Sequence, residues 1–194
     1  SIIIILAVVA ILVIWAVSVY NGLVTMDENV SGQWANVETQ YQRRADLIPN
    51  LVNTVKGYAS HEKETLEGVV EARSKATQIK VDADGLTPEK LAEYQKAQGA
   101  VTSALGKLLA ISESYPDLKA NQNFLQLQEE VSDVENKLAA VRRYFNSATK
   151  EYNNAVQTFP SNIIAGMAGF RREIMFDLGT NERANLEQAP KISF

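Results

Sequence analysis

The sequence predicts an all-α protein: an N-terminal transmembrane helix followed by an elongated antiparallel up-and-down helical bundle. Three observations carry that expectation. Residues 2–17 form an unbroken run of sixteen apolar residues. From Phe124 to Phe159, apolar residues recur at alternating spacings of three and four without a miss. No stretch shows the period-two alternation of a half-buried strand. Composition agrees, because 22% charged residues with 10 Gly and 5 Pro in 194 residues is the balance of a helix-rich globular chain and not of a disordered one.

The first element, SIIIILAVVAILVIWAVSVY, stays uncharged through Tyr20. At 1.5 Å per residue, Ile2 to Tyr20 covers roughly 28 Å, close to the ~30 Å hydrocarbon layer. Trp15 and Tyr20 lie toward its C-terminal end, where amphipathic rings favour the membrane interface. Ala16-Val17-Ser18 loosely resembles a signal-peptide cleavage site, but the apolar run is longer than the ~7–15 residues usual for such a core. Residues 1–20 are therefore assigned as an uncleaved anchor. No Lys or Arg follows it until Arg43, whereas Asp27 and Glu28 come early, so the rest of the chain is expected on the extracytoplasmic side.

The bundle is expected over residues 21–159. Its first stretch, about 27–79, carries Val30, Trp34, Val37, Tyr41, Ile48, Leu51, Val55 and Tyr58 at helical spacing, with Arg44 in the missing seam position. Pro49 lies inside this pattern and predicts a kink or a restart near residues 46–48. KVDADGLTPEK then breaks the pattern, with Thr87 as a cap and Pro88 at the first helical position. A second helix is expected over about 88–114, with Leu91, Tyr94, Val101, Leu105 and Leu108 on one stripe and Tyr115-Pro116-Asp117 as its stop. The third, about 121–158, has the strongest signal and predicts Phe124, Val131, Leu138, Val141 and Phe145 as core. Short connections make such neighbours antiparallel.

Residues 160–194 form the last unit. Phe159-Pro160 stops the third helix, and Ser161 is expected to cap a short apolar one. DLGTNERANLEQAPKISF reads as a polar tail.

Several chemistries have little to build on. A net charge of −4 offers no general basic surface for nucleic acid. Without Cys there are no thiolate metal sites, disulfides or cysteine nucleophiles. His61 stands alone in SHEKETLEG, with Thr65 where a zinc peptidase helix needs its second His, and reads as a solvated helix residue. Paired carboxylates such as Glu129 and Glu130 read as solvated faces, and no glycine cluster forms a phosphate loop. The expectation is no enzyme, no metal and no cofactor.

Two clusters are candidates for interaction instead. Arg43, Arg44, Asp46 and Asn50 lie within RRADLIPN; a charge at Arg44 is costly in an apolar seam unless paired, which suggests an inter-subunit or partner contact as an alternative to a solvated face. Ile163, Met167 and Phe170, followed by Arg171 and Arg172, form an apolar stripe with a basic end outside the expected bundle. Left exposed, it would mark an interface between copies of the chain or a contact with lipid. The competing expectation is that it folds back onto its own bundle.

YQRRADLIPNLVNTVKGYASHE closely resembles the signature of the LemA family of bacterial membrane proteins. The likeness continues from Ser112 through Phe170, includes YNGLVTMDENV after the anchor, and ends in APKISF. It implies an inner-membrane protein with one transmembrane helix and a helical bundle, and it supplies no catalytic residues. It also implies association with membrane metalloproteases of the heat-shock type, and kinship to proteins that help build magnetosome membranes. Together these readings give a self-associating envelope scaffold or adaptor, with membrane remodelling as the alternative.

Overall fold

The computed structural model describes residues 2–176, and the polar tail expected from Asp177 onward lies outside them. Among the described residues there are helices and no strands. The first helix, α1 (Ile2–Lys56), runs without interruption from the apolar segment into the bundle, a length of about 82 Å for its 55 residues. None of its apolar first part is buried, and it is long and apolar enough to cross a membrane. Leu23 is its first buried residue.

The expected interruption at Pro49 does not occur: α1 continues through it. Pro49 has no N–H to donate to the carbonyl four residues earlier, which is that of Ala45. That carbonyl instead accepts a 2.7 Å hydrogen bond from Arg73 Nε, on a different helix. Pro49 itself faces solvent, so its ring displaces no core side chain.

The break falls later than expected. After Lys56 a turn over residues 57–62 reverses the chain into α2 (Lys63–Gln78), so the single stretch expected to residue 79 is two antiparallel helices. His61 lies in this turn and is exposed, not on a helix. Tyr58, expected in the seam, is also exposed, and Ala59 takes the buried place beside it. An extended linker and a short 3₁₀ turn (Ala83–Gly85) lead to α3 (Pro88–Ile111), where Thr87 Oγ1 accepts from Lys90 N as the cap and Pro88 opens the helix, as the sequence predicts. A second 3₁₀ turn (Ser112–Ser114) and the single-turn α4 (Pro116–Lys119) lead to α5 (Gln122–Gln157), capped by Asn121 Oδ1 accepting from Phe124 N at 3.0 Å. The last element is α6 (Ser161–Ala168). Pro160, not Ser161, precedes it; the Ser161 hydroxyl donates instead to the carbonyls of Ala155 and Thr158, closing the end of α5.

Core membership shows the topology. Leu51 and Val55 of α1, Leu66 and Val69 of α2, Leu105 and Leu108 of α3, and Phe124 of α5 share the half distant from the apolar segment. Val30 and Trp34 of α1, Leu91 and Tyr94 of α3, and Phe145 and Tyr152 of α5 share the nearer half. The helices therefore run up, down, up and down around these two clusters. The seam of α5 is buried at Phe124, Val131, Leu138 and Phe145, as expected. Val141 is only partly buried, at the edge of the nearer cluster, and Phe159, past the end of the helix, is exposed.

Candidate functional site: a charged cleft and a membrane-side foot

Arg44 is the centre of the bundle's polar interior. It is 1% exposed, and its guanidinium bridges three helices. Nη1 donates to Thr102 Oγ1 at 2.8 Å and to Glu135 Oε1 at 2.9 Å. Nη2 donates to the carbonyl and the side-chain oxygen of Gln98, both at 2.8 Å. The ring of Tyr41 lies 5.0 Å below the guanidinium carbon, a cation–π contact. The pairing that a seam arginine requires is therefore supplied within the chain. Of the two expectations for this position, the solvated face does not hold for Arg44, whose charge is buried and paired within the bundle.

Arg44 also floors an open cleft of about 540 Å³ between α1, α2, the following linker and α3. Arg43 and Asp46 line its rim, with Arg73, Lys80, Glu38 and Asp82 around them and Tyr41 and Tyr94 below. Asp46 accepts a 2.8 Å hydrogen bond from Gln42. Three of the four residues singled out in the sequence thus meet at one cleft, whereas Asn50 lies beyond it on the exposed face of α1. Both charge signs thus stand at its rim, with two aromatic rings beneath. Burial pushes the Tyr94 hydroxyl well above its ordinary titration range, with further contributions from Tyr41 and Glu38, so it stays a neutral hydrogen-bonding group.

The apolar stripe of residues 163–176 divides into two parts. Phe170 and Ile174 pack against the nearer core cluster, and Phe176 is buried between Trp34 and Phe145, with ring centroids 5.7 and 5.4 Å away. Two asparagines of α5 hold this returning segment by its backbone. Asn153 accepts from Glu173 N at 2.8 Å and donates to Glu173 O at 2.9 Å. Asn146 does the same with Phe176, at 2.8 and 3.1 Å. Seven helical residues rise about 10.5 Å and three extended ones about 10 Å, so the two spacings match. From Phe170 to Phe176 the stripe thus folds back onto its own bundle, the competing expectation, whereas Ile163 and Met167 stay outside it.

What remains outside is the foot, α6 with the turn before it. Ile163 is 49% exposed and Met167 83%. Gly169 ends α6 with φ 79°, a conformation that glycine adopts without a Cβ penalty, and Phe170 N donates back to the Ala165 carbonyl at 2.9 Å. Neither Gly166 nor Gly169 meets a neighbouring atom of the chain within 4 Å of where a Cβ would sit. Arg171 and Arg172 are both exposed.

Above the foot, carboxylates gather around the end of the bundle. The Glu173 carboxyl is held above its ordinary range by burial and then by Asp27 and Asp84. Asp27 is raised by burial, then by Asp84 and Glu28. Tyr152, facing the same group, is pushed up to about 12 by burial and then by Asp27 and Glu173. A carboxyl with a raised folded pKa binds protons more tightly folded than unfolded. Its stabilising contribution is complete below the unfolded value and is lost as pH rises through the folded one. Glu173→Gln should therefore melt at a higher temperature than the parent protein at pH 7, and the gap should close near pH 4, as followed by circular dichroism. An equal gap at both values would mean that the carboxylate carries no electrostatic penalty.

The sequence reading did not anticipate the contributions of Gln98, Glu135, Arg73 and the two asparagines. Asn146 and Asn153 left one signal, a seven-residue spacing immediately beside the seam residues Phe145 and Tyr152. No group of three or more metal-ligating side chains occurs among the described residues.

The model of the LemA family matches residues 33–194. Magnetosome protein MamQ of Magnetospirillum gryphiswaldense is 30% identical over 170 residues, covering 79% of this chain and 62% of the relative. Magnetosome protein MamQ 2 of Paramagnetospirillum magneticum is 26% identical over 176 residues, covering 81% and 64%. Protein LemA of Metamycoplasma hominis is 28% identical over 167 residues, covering 86% and 73%. The chain thus spans less than two thirds of the length of the two magnetosome relatives.

Proposed function

The chain belongs to the LemA family and is a membrane-anchored helical protein, and from this premise we propose that it serves as a self-associating scaffold or adaptor of the bacterial inner membrane. The observation that carries the proposal is the continuity of α1. The helix that leaves the membrane is the same helix that lines the charged cleft, with no hinge between them. Any protein bound at the cleft is therefore held at a set height and direction relative to the bilayer. The work is done by binding and geometry and not by a chemical step. Further copies of this chain and a membrane metalloprotease are the proposed partners; a shared membrane raises the effective concentration of anchored proteins for one another.

The test replaces exposed Arg43 with a photo-crosslinking residue in the full chain, in native membranes. Carbonate-resistant protein that crosslinks specifically to a second copy or to an envelope protein, with loss of that product on Asp46→Lys, is the expected result. Release of the intact chain by carbonate, or a crosslinking pattern unaffected by Asp46→Lys, would count against the proposal.

A further inference from the structure

The foot has a position and a composition that together specify what covers it. The Phe170 ring lies 5.9 Å from Tyr20, at the last residue of the membrane-spanning segment. α5 descends toward that level, and the chain turns at its lower end, between Phe159 and Phe170, before rising again to Phe176. α6 packs on α1 within this turn, and Ala165 is buried there. Trp15, Ala16, Val19 and Leu23, which share one face of α1, are shielded in part or in full, while the opposite faces at the same height are open. From Trp15 to Tyr20 is about 7.5 Å along the helix, within the 5–10 Å depth at which interfacial helices seat their apolar faces.

Composition follows the same order along the membrane normal. Between Glu151 and Arg171 the chain has no Asp, Glu, Lys, Arg or His, its longest uncharged run after the anchor. Within that run Phe159 is 79% exposed, alongside Ile163 and Met167. A segment bathed in water would gain solubility from charges at such positions. The first charges after the run are the exposed pair Arg171 and Arg172, suited to anionic headgroups, and the carboxylates Glu173 and Asp27 follow.

We infer that α6 and its preceding turn are a second membrane contact, inserting Phe159, Ile163 and Met167 into the leaflet from which α1 emerges, with Arg171 and Arg172 at the headgroups. This inference rests on the reading of residues 2–20 as a membrane span. It makes the attachment two-point: the anchor fixes the protein to the bilayer, and the foot fixes the rotation and tilt of the bundle upon it.

The sequence contains no cysteine, so single cysteines at Met167, Ile163, Val9 and Ser114 can each carry an environment-sensitive fluorophore. The proteins are reconstituted into phosphatidylcholine–phosphatidylglycerol vesicles, with and without nitroxide-labelled lipid. The Met167 and Ile163 probes should emit to the blue and lose most of their emission to the nitroxide lipid, as the Val9 probe does, while the Ser114 probe at the far end of the bundle should keep its emission. Free reaction of Met167→Cys with a membrane-impermeant maleimide, together with full emission, would place the foot in water and overturn the inference. Shielding from both the maleimide and the nitroxide would show a second copy of the chain on this surface, with the same consequence. Failure of the Val9 probe to be quenched would instead overturn the membrane-spanning premise, an outcome distinct from the others.

Discussion

Trp34→Ala is expected to lower the unfolding free energy by at least about 4 kcal/mol, because truncation of a buried Trp costs about 3–5 kcal/mol and a polar partner is orphaned in addition. Trp34 is buried at the meeting point of α1, α3, α5 and the returning C-terminal segment. Its ring packs 5.4 Å from those of Tyr94 and Phe145 and stacks on Phe176 at 5.7 Å. Its Nε1 donates to the buried Val81 carbonyl at 2.8 Å, tying α1 to the linker before α3, and to Glu38 at 2.9 Å. Trp34→Phe keeps most of the ring and loses the donor, so a smaller loss of about 1–3 kcal/mol is expected from the unpaired carbonyl. Since whole domains are stable by only about 5–15 kcal/mol, a loss of this size removes from about a quarter to most of the stability. Chemical denaturation in detergent measures both. Losses below about 1 kcal/mol for Trp34→Ala would show that this cluster is not the centre of the nearer core.

Arg44→Ala is expected to cost about 3 kcal/mol, at the lower end of the range for breaking a buried ion pair. The lower end applies because the Glu135 side chain is 36% exposed, so water can take over part of its solvation. Arg44→Met combined with Glu135→Leu removes both charges at similar volume and should recover most of that loss, since apolar replacement of both members of a buried ion pair is often neutral. If both variants lose the same amount, packing and not charge is the contribution of Arg44. If Arg44→Ala loses nothing, the network joining α1 to α3 and α5 does not stabilise the bundle.

The apolar faces were legible along the chain because burial on a helix follows its own period. Val30, Trp34, Val37, Tyr41, Ile48, Leu51 and Val55 are all buried at the spacings the sequence shows. The turn after Lys56 left no mark in that period. Leu66 and Val69 continue the three-and-four rhythm of α1 across the reversal, because both helices bury their apolar faces in one core. Pro49 misled for a related reason. The cost of a proline inside a helix depends on whether the freed carbonyl finds another donor, and here the donor is Arg73, brought close only by the reversal.

The sequence by itself determined the anchor, the helical class, the apolar face of each long helix and the absence of cysteine chemistry, since each is a property of neighbouring residues or of plain composition. Only the tertiary structure decided where the polar groups go. Arg44 and Glu135 are 91 positions apart, and Asn146 meets the backbone of Phe176 across 30. The apolar period ranks positions by burial but does not specify which buried polar group faces which. That choice depends on the register of one helix against another, and register exists only once the helices have packed. The same holds for the foot: residues 163–170 read as an apolar stripe in the sequence, and it is the descent of α5 beside α1 that sets them at the level of Tyr20.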